Sequence, residues 1–242
     1  MRLIKSLFWI IVRALSKLRY IMNSLTISLV ASFLTIFSVH ADKSIEQAFS
    51  EVYSESRWGK SENGEPSSGL GSILETTYIY RVFLQNFLHE NRIQSVVDIG
   101  CGDWEFSKVL DWKDIEYDGY EVVPYLVQRN NALYANSHIR FHYGDGTVTY
   151  LPPADLLICK DVLQHLPNED VQVFLTQFSK FKYCIIVNDL ESEMDVQINS
   201  KISRGGFHPL DITQAPFNVN ALKLFGYWVG GHYKQVFLIK NG

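Results

Sequence analysis

Ser95-Val-Val-Asp98-Ile-Gly100-Cys101-Gly102-Asp103-Trp104-Glu105-Phe106 joins an apolar run to a glycine-rich turn. Val96, Val97 and Ile99 form a short β-branched apolar run, the composition of a strand covered on both faces of a parallel sheet. Asp98 interrupts that run near its end, where a carboxylate is costly unless it accepts hydrogen bonds from the following loop. Gly100 and Gly102 permit positive φ and bring bare backbone close to a ligand, and Asp103 is placed to cap a helix beginning near Trp104. Strand, glycine turn and helix in that order form a nucleotide-binding signal.

A dinucleotide site would want a third glycine or alanine three residues after Gly102, where Glu105 stands. An acidic first turn is a poor neighbour for a pyrophosphate, which makes NAD the weaker option. A ligand carrying a sulfonium and an ammonium tolerates those carboxylates better. The next strand is predicted over Tyr117–Val122 and places Glu121 at its end, 23 positions after Asp98 (121 minus 98). An acidic residue there can take both hydroxyls of a ribose, the bland alternative being a solvated strand-end glutamate.

A helix is predicted over Pro124–Ala135, a third strand over Ile139–Tyr143, and then Gly144-Asp145-Gly146. The fourth strand, Asp155–Cys159, runs into Lys160-Asp161-Val162-Leu163-Gln164-His165-Leu166. A helix over Val171–Phe178 leads to a fifth strand, Tyr183–Val187, and Leu222–Val229 with Tyr233–Lys240 flank Gly230-Gly231 as an antiparallel hairpin.

The strand ending in Asp98-x-Gly100-x-Gly102 resembles motif I of the class I S-adenosylmethionine-dependent methyltransferases, and the order of the later elements is similar to that family's. The resemblance covers roughly Tyr53 to Gly242, with its specific motifs between Val96 and Leu166. It implies an α/β fold: a Rossmann-like, doubly wound seven-stranded sheet, mostly parallel with an antiparallel C-terminal hairpin. It implies S-adenosylmethionine as cofactor, contacted by Asp98, Gly100, Cys101, Gly102 and Trp104 around the turn and by Glu121. It further implies Asp145 and Gly146 at the adenine edge, Lys160 after the fourth strand, and Trp58 from a lid. The amide- and base-nitrogen methylating members often carry Asn/Asp-Pro-Pro-aromatic where this chain has Cys159-Lys160-Asp161-Val162, which counts against DNA adenine and glutamine as acceptors.

Composition sets the wider bounds. The chain has 242 residues, 47% of them apolar, so disorder is not indicated and one α/β core is the natural count. The formal net charge of −4, with no basic run after the leader, does not suggest a nucleic-acid substrate. Cys101, Cys159 and Cys184 lie in or beside predicted core strands, too far apart for a zinc site or disulfide scaffold, and read as small buried hydrophobes. No metal cluster is visible in the sequence.

Residues 1–41 read as an address. Arg2, Lys5, Arg13, Lys17 and Arg19 precede the first acidic residue, Asp42, and an apolar run from Leu25 ends in Val39-His40-Ala41. This is either a secretory signal peptide with a long basic region, with Met22 as another start, or an uncleaved membrane anchor. A cytosolic cofactor conflicts with export, so three outcomes stay open: a mispredicted gene start, a cytosolic domain on an atypical anchor, or export to where the cofactor is supplied. Residues 42–94 are expected to form an N-terminal helical and lid segment, and residues 95–242 the cofactor-binding core. Helices are predicted over Ser44–Ser56 and Ile73–His89, the latter with Ile79, Val82, Phe83 and Phe87 as its apolar stripe. Between them the Gly/Ser-rich segment is either a linker or, as the resemblance implies for Tyr53, Trp58 and Ser68–Ser72, a lid over the cofactor.

For chemistry, transfer of a methyl group to a hydroxyl or amine needs alignment and removal of the acceptor's proton. His165 is the first candidate base because imidazole accepts protons near neutrality, with Asp161 and His208 as alternatives. The segments 204–209 and 215–219 read as an ordered insertion at the variable acceptor site. The expected acceptor is a small molecule or a glycan-like molecule. Two other readings remain: a cofactor-binding protein without transfer activity, and an aminopropyltransferase, whose usual paired aspartates near the fourth strand are here reduced to Asp161.

Overall fold

The structure, a computed structural model, describes residues 43–147, 149–193 and 196–241 together with residues 17 and 19. The expected leader, apart from residues 17 and 19, therefore lies outside the described residues. Among the described residues no helix is long and apolar enough to cross a membrane.

Eleven regular elements alternate along the described chain: α1 (Ile45–Ser54), α2 (Tyr78–Glu90), β1 (Ser95–Ile99), β2 (Glu116–Glu121), α3 (Pro124–Tyr134), β3 (Ile139–Tyr143), β4 (Leu156–Lys160), α4 (Asn168–Thr176), β5 (Tyr183–Ser192), β6 (Leu222–Val229) and β7 (His232–Lys240). The strands form one sheet in the order β3-β2-β1-β4-β5-β7-β6. The first five are parallel to one another, and β7 runs antiparallel to both β5 and β6. Strand order reverses between β1 and β4, which opens a crevice beyond their carboxyl ends.

Alternation along β1 sends Val97 and Ile99 to one face and Val96 to the other. The first face packs against α1, α4 and the buried Leu210 and Ile212 of the long β5–β6 connection. The second packs against α2 through Tyr80, Leu84, Phe87 and Leu88. Of the predicted stripe on this helix, Phe87 is buried and Phe83 packs against the core, whereas Ile79 and Val82 are exposed. Positions 80, 84, 87 and 88 satisfy the same helical period and bring Tyr80 against Phe106, with ring centroids 5.7 Å apart.

Ser44 caps α1 with a full capping box, its hydroxyl accepting from Gln47 N–H and the Gln47 side chain accepting from Ser44 N–H. The helix expected after the glycine turn is absent. Trp104 takes a left-handed φ of 58°, and only a 3₁₀ turn, Ser107–Val109, follows. The buried rings of Trp104, Phe106 and Trp112 fill the volume instead. Strand β5 continues five residues past its predicted end (192 minus 187), carrying Asn188 and Asp189 beyond the apolar part of the sheet.

Candidate cofactor and acceptor site

The crevice is a cavity of about 450 Å³. Its floor is the turn after β1, where Gly100 and Gly102 have φ of 68° and 57°. Here glycine is required on two counts, because a Cβ at Gly100 would strike Val162 and one at Gly102 would strike Ser68. The turn curls over the end of β2, with Gly100 N–H donating to Tyr120 O at 2.8 Å. Asn130 of α3, fully buried, secures it from behind by donating to Gly102 O at 2.8 Å.

Glu121 closes this floor. Its carboxylate accepts N–H groups from Gly102 at 3.0 Å, Val122 at 2.8 Å and Val123 at 2.9 Å. Burial raises its pKa, and those three donors work against the rise. Asp98 is also buried, and its partner is not the following loop but the Tyr117 hydroxyl from β2, which donates at 2.6 Å. Burial pushes the Asp98 carboxyl up to about 7 despite that bond and the nearby Lys160.

The segment between α1 and α2 forms the roof. Ser68 and Asp103 are joined twice: Ser68 N–H donates to Asp103 Oδ2 and Asp103 N–H donates to Ser68 Oγ, both at 2.9 Å. Tyr53 adds a hydroxyl contact to Ser68 Oγ at 2.7 Å, and Lys160 Nζ donates to Gly71 O at 2.7 Å. Trp58 packs on Tyr53 and on the His165 ring, with centroids 5.4 and 5.0 Å away. Of the residues expected at the cofactor, Trp58, Asp98, Gly100, Cys101, Gly102, Glu121, Asp145 and Lys160 all line this cavity. Trp104 does not: it is buried against Tyr117, Tyr134 and Phe141. Gly146 lies just off the cavity, with a Cβ there striking Phe174.

Beyond β4 and β5 stands a group of charges that the sequence reading only partly anticipates. Asp161, with φ of 57°, is clamped between Lys160 Nζ at 2.5 Å and Lys234 Nζ at 2.8 Å. Lys234 also reaches Asp189 Oδ1 at 2.7 Å. His232 Nδ1 lies 3.1 Å from Asp189 Oδ2, a close contact short of hydrogen-bond geometry. Burial acts to raise the Asp161 pKa, but the two ammonium groups overcome it and hold the carboxyl well below its ordinary range. Burial acts to lower Lys234, and Asp161 with Asp189 overcome it in the opposite direction.

His165 ends the 3₁₀ turn after β4, with Nδ1 2.8 Å from Gly206 O. A carbonyl only accepts, so Nδ1 carries the proton and Nε2 the lone pair. Burial lowers the His165 pKa, partly offset by that bond. His208 is fully buried, bonded through Nδ1 to Ser200 O at 2.6 Å, and is not among the cavity-lining residues.

No protein-family model matches the chain, and no curated protein matches it in sequence. Solved structures do. Magnesium protoporphyrin IX methyltransferase from Synechocystis PCC 6803, solved with bound S-adenosylmethionine, superposes over 82% of this chain and 97% of its own, at 15% identity and TM-score 0.56. The fold is that of the class I methyltransferases. Two further structures agree on this methyltransferase fold. The N-terminal domain of EvdMO1, solved in the presence of S-adenosylhomocysteine and D-fucose, covers 80% of this chain and 96% of its own at 13% identity and TM-score 0.53. The methyltransferase domain of bacterial CtHen1 covers 69% and 100% at 15% identity and TM-score 0.50.

Sequence reasoning missed Asp189, His232 and Lys234. The one local signal for them is the polar pair Lys234-Gln235 just before the apolar run 236–239.

Proposed function

We propose that the chain is an S-adenosylmethionine-dependent methyltransferase acting on a hydroxyl or amine of a small molecule or glycan-like acceptor. The observation that carries this reading is Glu121 at the end of β2, drawn by three backbone N–H groups to the edge of a turn whose two glycines leave room for a ligand. The residues present fit the cofactor: a ribose diol suits Glu121, and a floor with the acidic side chains of Asp98 and Glu121 suits a pyrophosphate poorly. The cofactor-bearing neighbours of the same fold support it too.

When bound, S-adenosylmethionine supplies an activated methyl group on a sulfonium with a neutral leaving group. The roof from Tyr53 to Ser72 and the floor at Gly100–Gly102 exclude water and fix the ligand's orientation, which is where most of the rate in such a transfer arises. His165 then takes the acceptor's proton at Nε2, the nitrogen its bond to Gly206 leaves free. Asp161, the other candidate, is a weak proton acceptor while two ammonium groups neutralise it.

The aminopropyl-transfer reading is disfavoured by a specific contact. A second aspartate is indeed at hand, Asp189, but the ammonium of Lys234 occupies the place between the two carboxylates that a polyamine would need.

Incubation with S-adenosylmethionine labelled on its methyl group, and with a panel of sugars, phenols and amines, tests the reading. Label should pass to at least one class of acceptor, and His165→Ala should abolish transfer while still binding the cofactor. Cofactor binding with no transfer to any class favours a binding protein without catalysis.

A further inference from the structure

The far wall of the cavity carries a second imidazole that the proposed reaction does not use. Phe207, from the long β5–β6 connection, lies between the two histidines. Its ring centroid is 5.9 Å from that of His165 and 5.3 Å from that of His232, and all three residues line the cavity. The rings are not parallel: Phe207 meets His165 at 50° and His232 at 88°. The arrangement offers one apolar ring with a polar imidazole on either side, the lining met by a guest that has an apolar face and hydroxyls at its edge.

The polar groups are prepared for hydrogen bonding. His165 is fixed in one tautomer by Gly206. His232 is held over Asp189, whose other oxygen is taken by Lys234 and whose backbone N–H is taken by Gln164 Oε1 at 2.6 Å. The surrounding charges pair, two ammonium groups (Lys160, Lys234) against two carboxylates (Asp161, Asp189), so this group carries no net charge to favour an ionised acceptor.

Resting on the methyltransferase reading above, we infer that this wall is the acceptor subsite and that it takes a neutral, polyhydroxylated ring. One C–H face of that ring lies on Phe207, the hydroxyl to be methylated faces His165, and a second hydroxyl is bound by His232. Asp189 and Lys234 act as positioning residues for that imidazole. The same site should bind analogues lacking the second hydroxyl more weakly, because His232 would then lose that hydrogen bond.

The test uses the full chain saturated with S-adenosylhomocysteine, titrated by NMR with the methyl glycosides of glucose, mannose and fucose, and with catechol as a planar diol. Saturable binding of at least one glycoside is expected, weakened about tenfold in Phe207→Leu and in His232→Ala while S-adenosylhomocysteine affinity is retained. Phe207→Leu keeps the apolar volume and removes only the ring, which separates a lost platform from a lost fold. Glycoside binding unchanged in both variants, preference for catechol, or bound S-adenosylhomocysteine with no glycoside binding would each overturn the inference and leave the methyltransferase reading standing. Failure of the folded chain to bind S-adenosylhomocysteine would overturn both.

Discussion

Ser68 and Asp103 hold each other by two hydrogen bonds of 2.9 Å, so the roof of the cavity is fastened directly to the glycine turn beneath it. Opening this pair would free the roof from the turn on which a ligand would lie. Removing the Ser68 hydroxyl leaves Asp103 N–H and the Tyr53 hydroxyl without their partner. Ser68→Ala should therefore weaken S-adenosylhomocysteine binding by about 1 kcal/mol, roughly fivefold, mainly through faster dissociation. Stopped-flow measurement of release rates checks this, and an unchanged rate would contradict it.

Asp98 makes stability depend on pH with an unusual sign for a carboxyl. The folded chain keeps this proton up to about pH 7, the unfolded chain only to about 3.8. The group's contribution is full below the lower value and falls as pH rises through that window, by the order of 4 kcal/mol in total. Asp98→Asn removes the effect, so chemical denaturation should show the variant gaining on the wild type as pH is raised from 5 to 8. A constant difference across that range would contradict the assignment.

Lys234 joins the carboxylate of Asp161, just past β4, to that of Asp189 in β5, with 5% of its side chain exposed against 3% for Asp189. Breaking such a pair strands a buried charge. Lys234→Met should destabilise the fold by about 3–5 kcal/mol, and the double variant Lys234→Met, Asp189→Asn should recover part of that loss. Urea unfolding of the single and double variants measures both quantities.

His165 should titrate below its ordinary value of 6.5, since burial disfavours the imidazolium. A histidine whose folded pKa is depressed adds stability above its unfolded value, and that stability is lost as pH falls through the window below 6.5. Side-chain ¹H–¹⁵N NMR should show Nδ1 protonated and Nε2 bare at pH 7. A ring already charged there would remove His165 as the proton acceptor.

The sheet and the floor of the site were legible because their signals are local. Val96–Val97–Ile99, Ile139–Tyr143 and the hairpin around Gly230-Gly231 announce strands by composition and period. Glu121 follows from its distance to Asp98 along one strand–crossover–strand unit. The charged wall beyond β4 and β5 was not legible for the opposite reason. Asp189 meets Lys234 through the antiparallel register of β5 and β7, which brings together residues 45 positions apart. Nothing near Asp189 in the chain fixes that register. The missing helix after the turn has a different cause: the left-handed backbone at Trp104 stops it, and the aromatic ring that seemed to face the cofactor serves the core instead.

Calorimetric titration of the full chain measures whether Glu121 and the glycine turn hold S-adenosylmethionine. S-adenosylmethionine and S-adenosylhomocysteine should bind, NAD should not, and Glu121→Ala should abolish binding in a chain that still folds. A folded wild-type chain that binds neither sulfur ligand, or a Glu121→Ala variant that binds them as tightly as the wild type, would contradict the account.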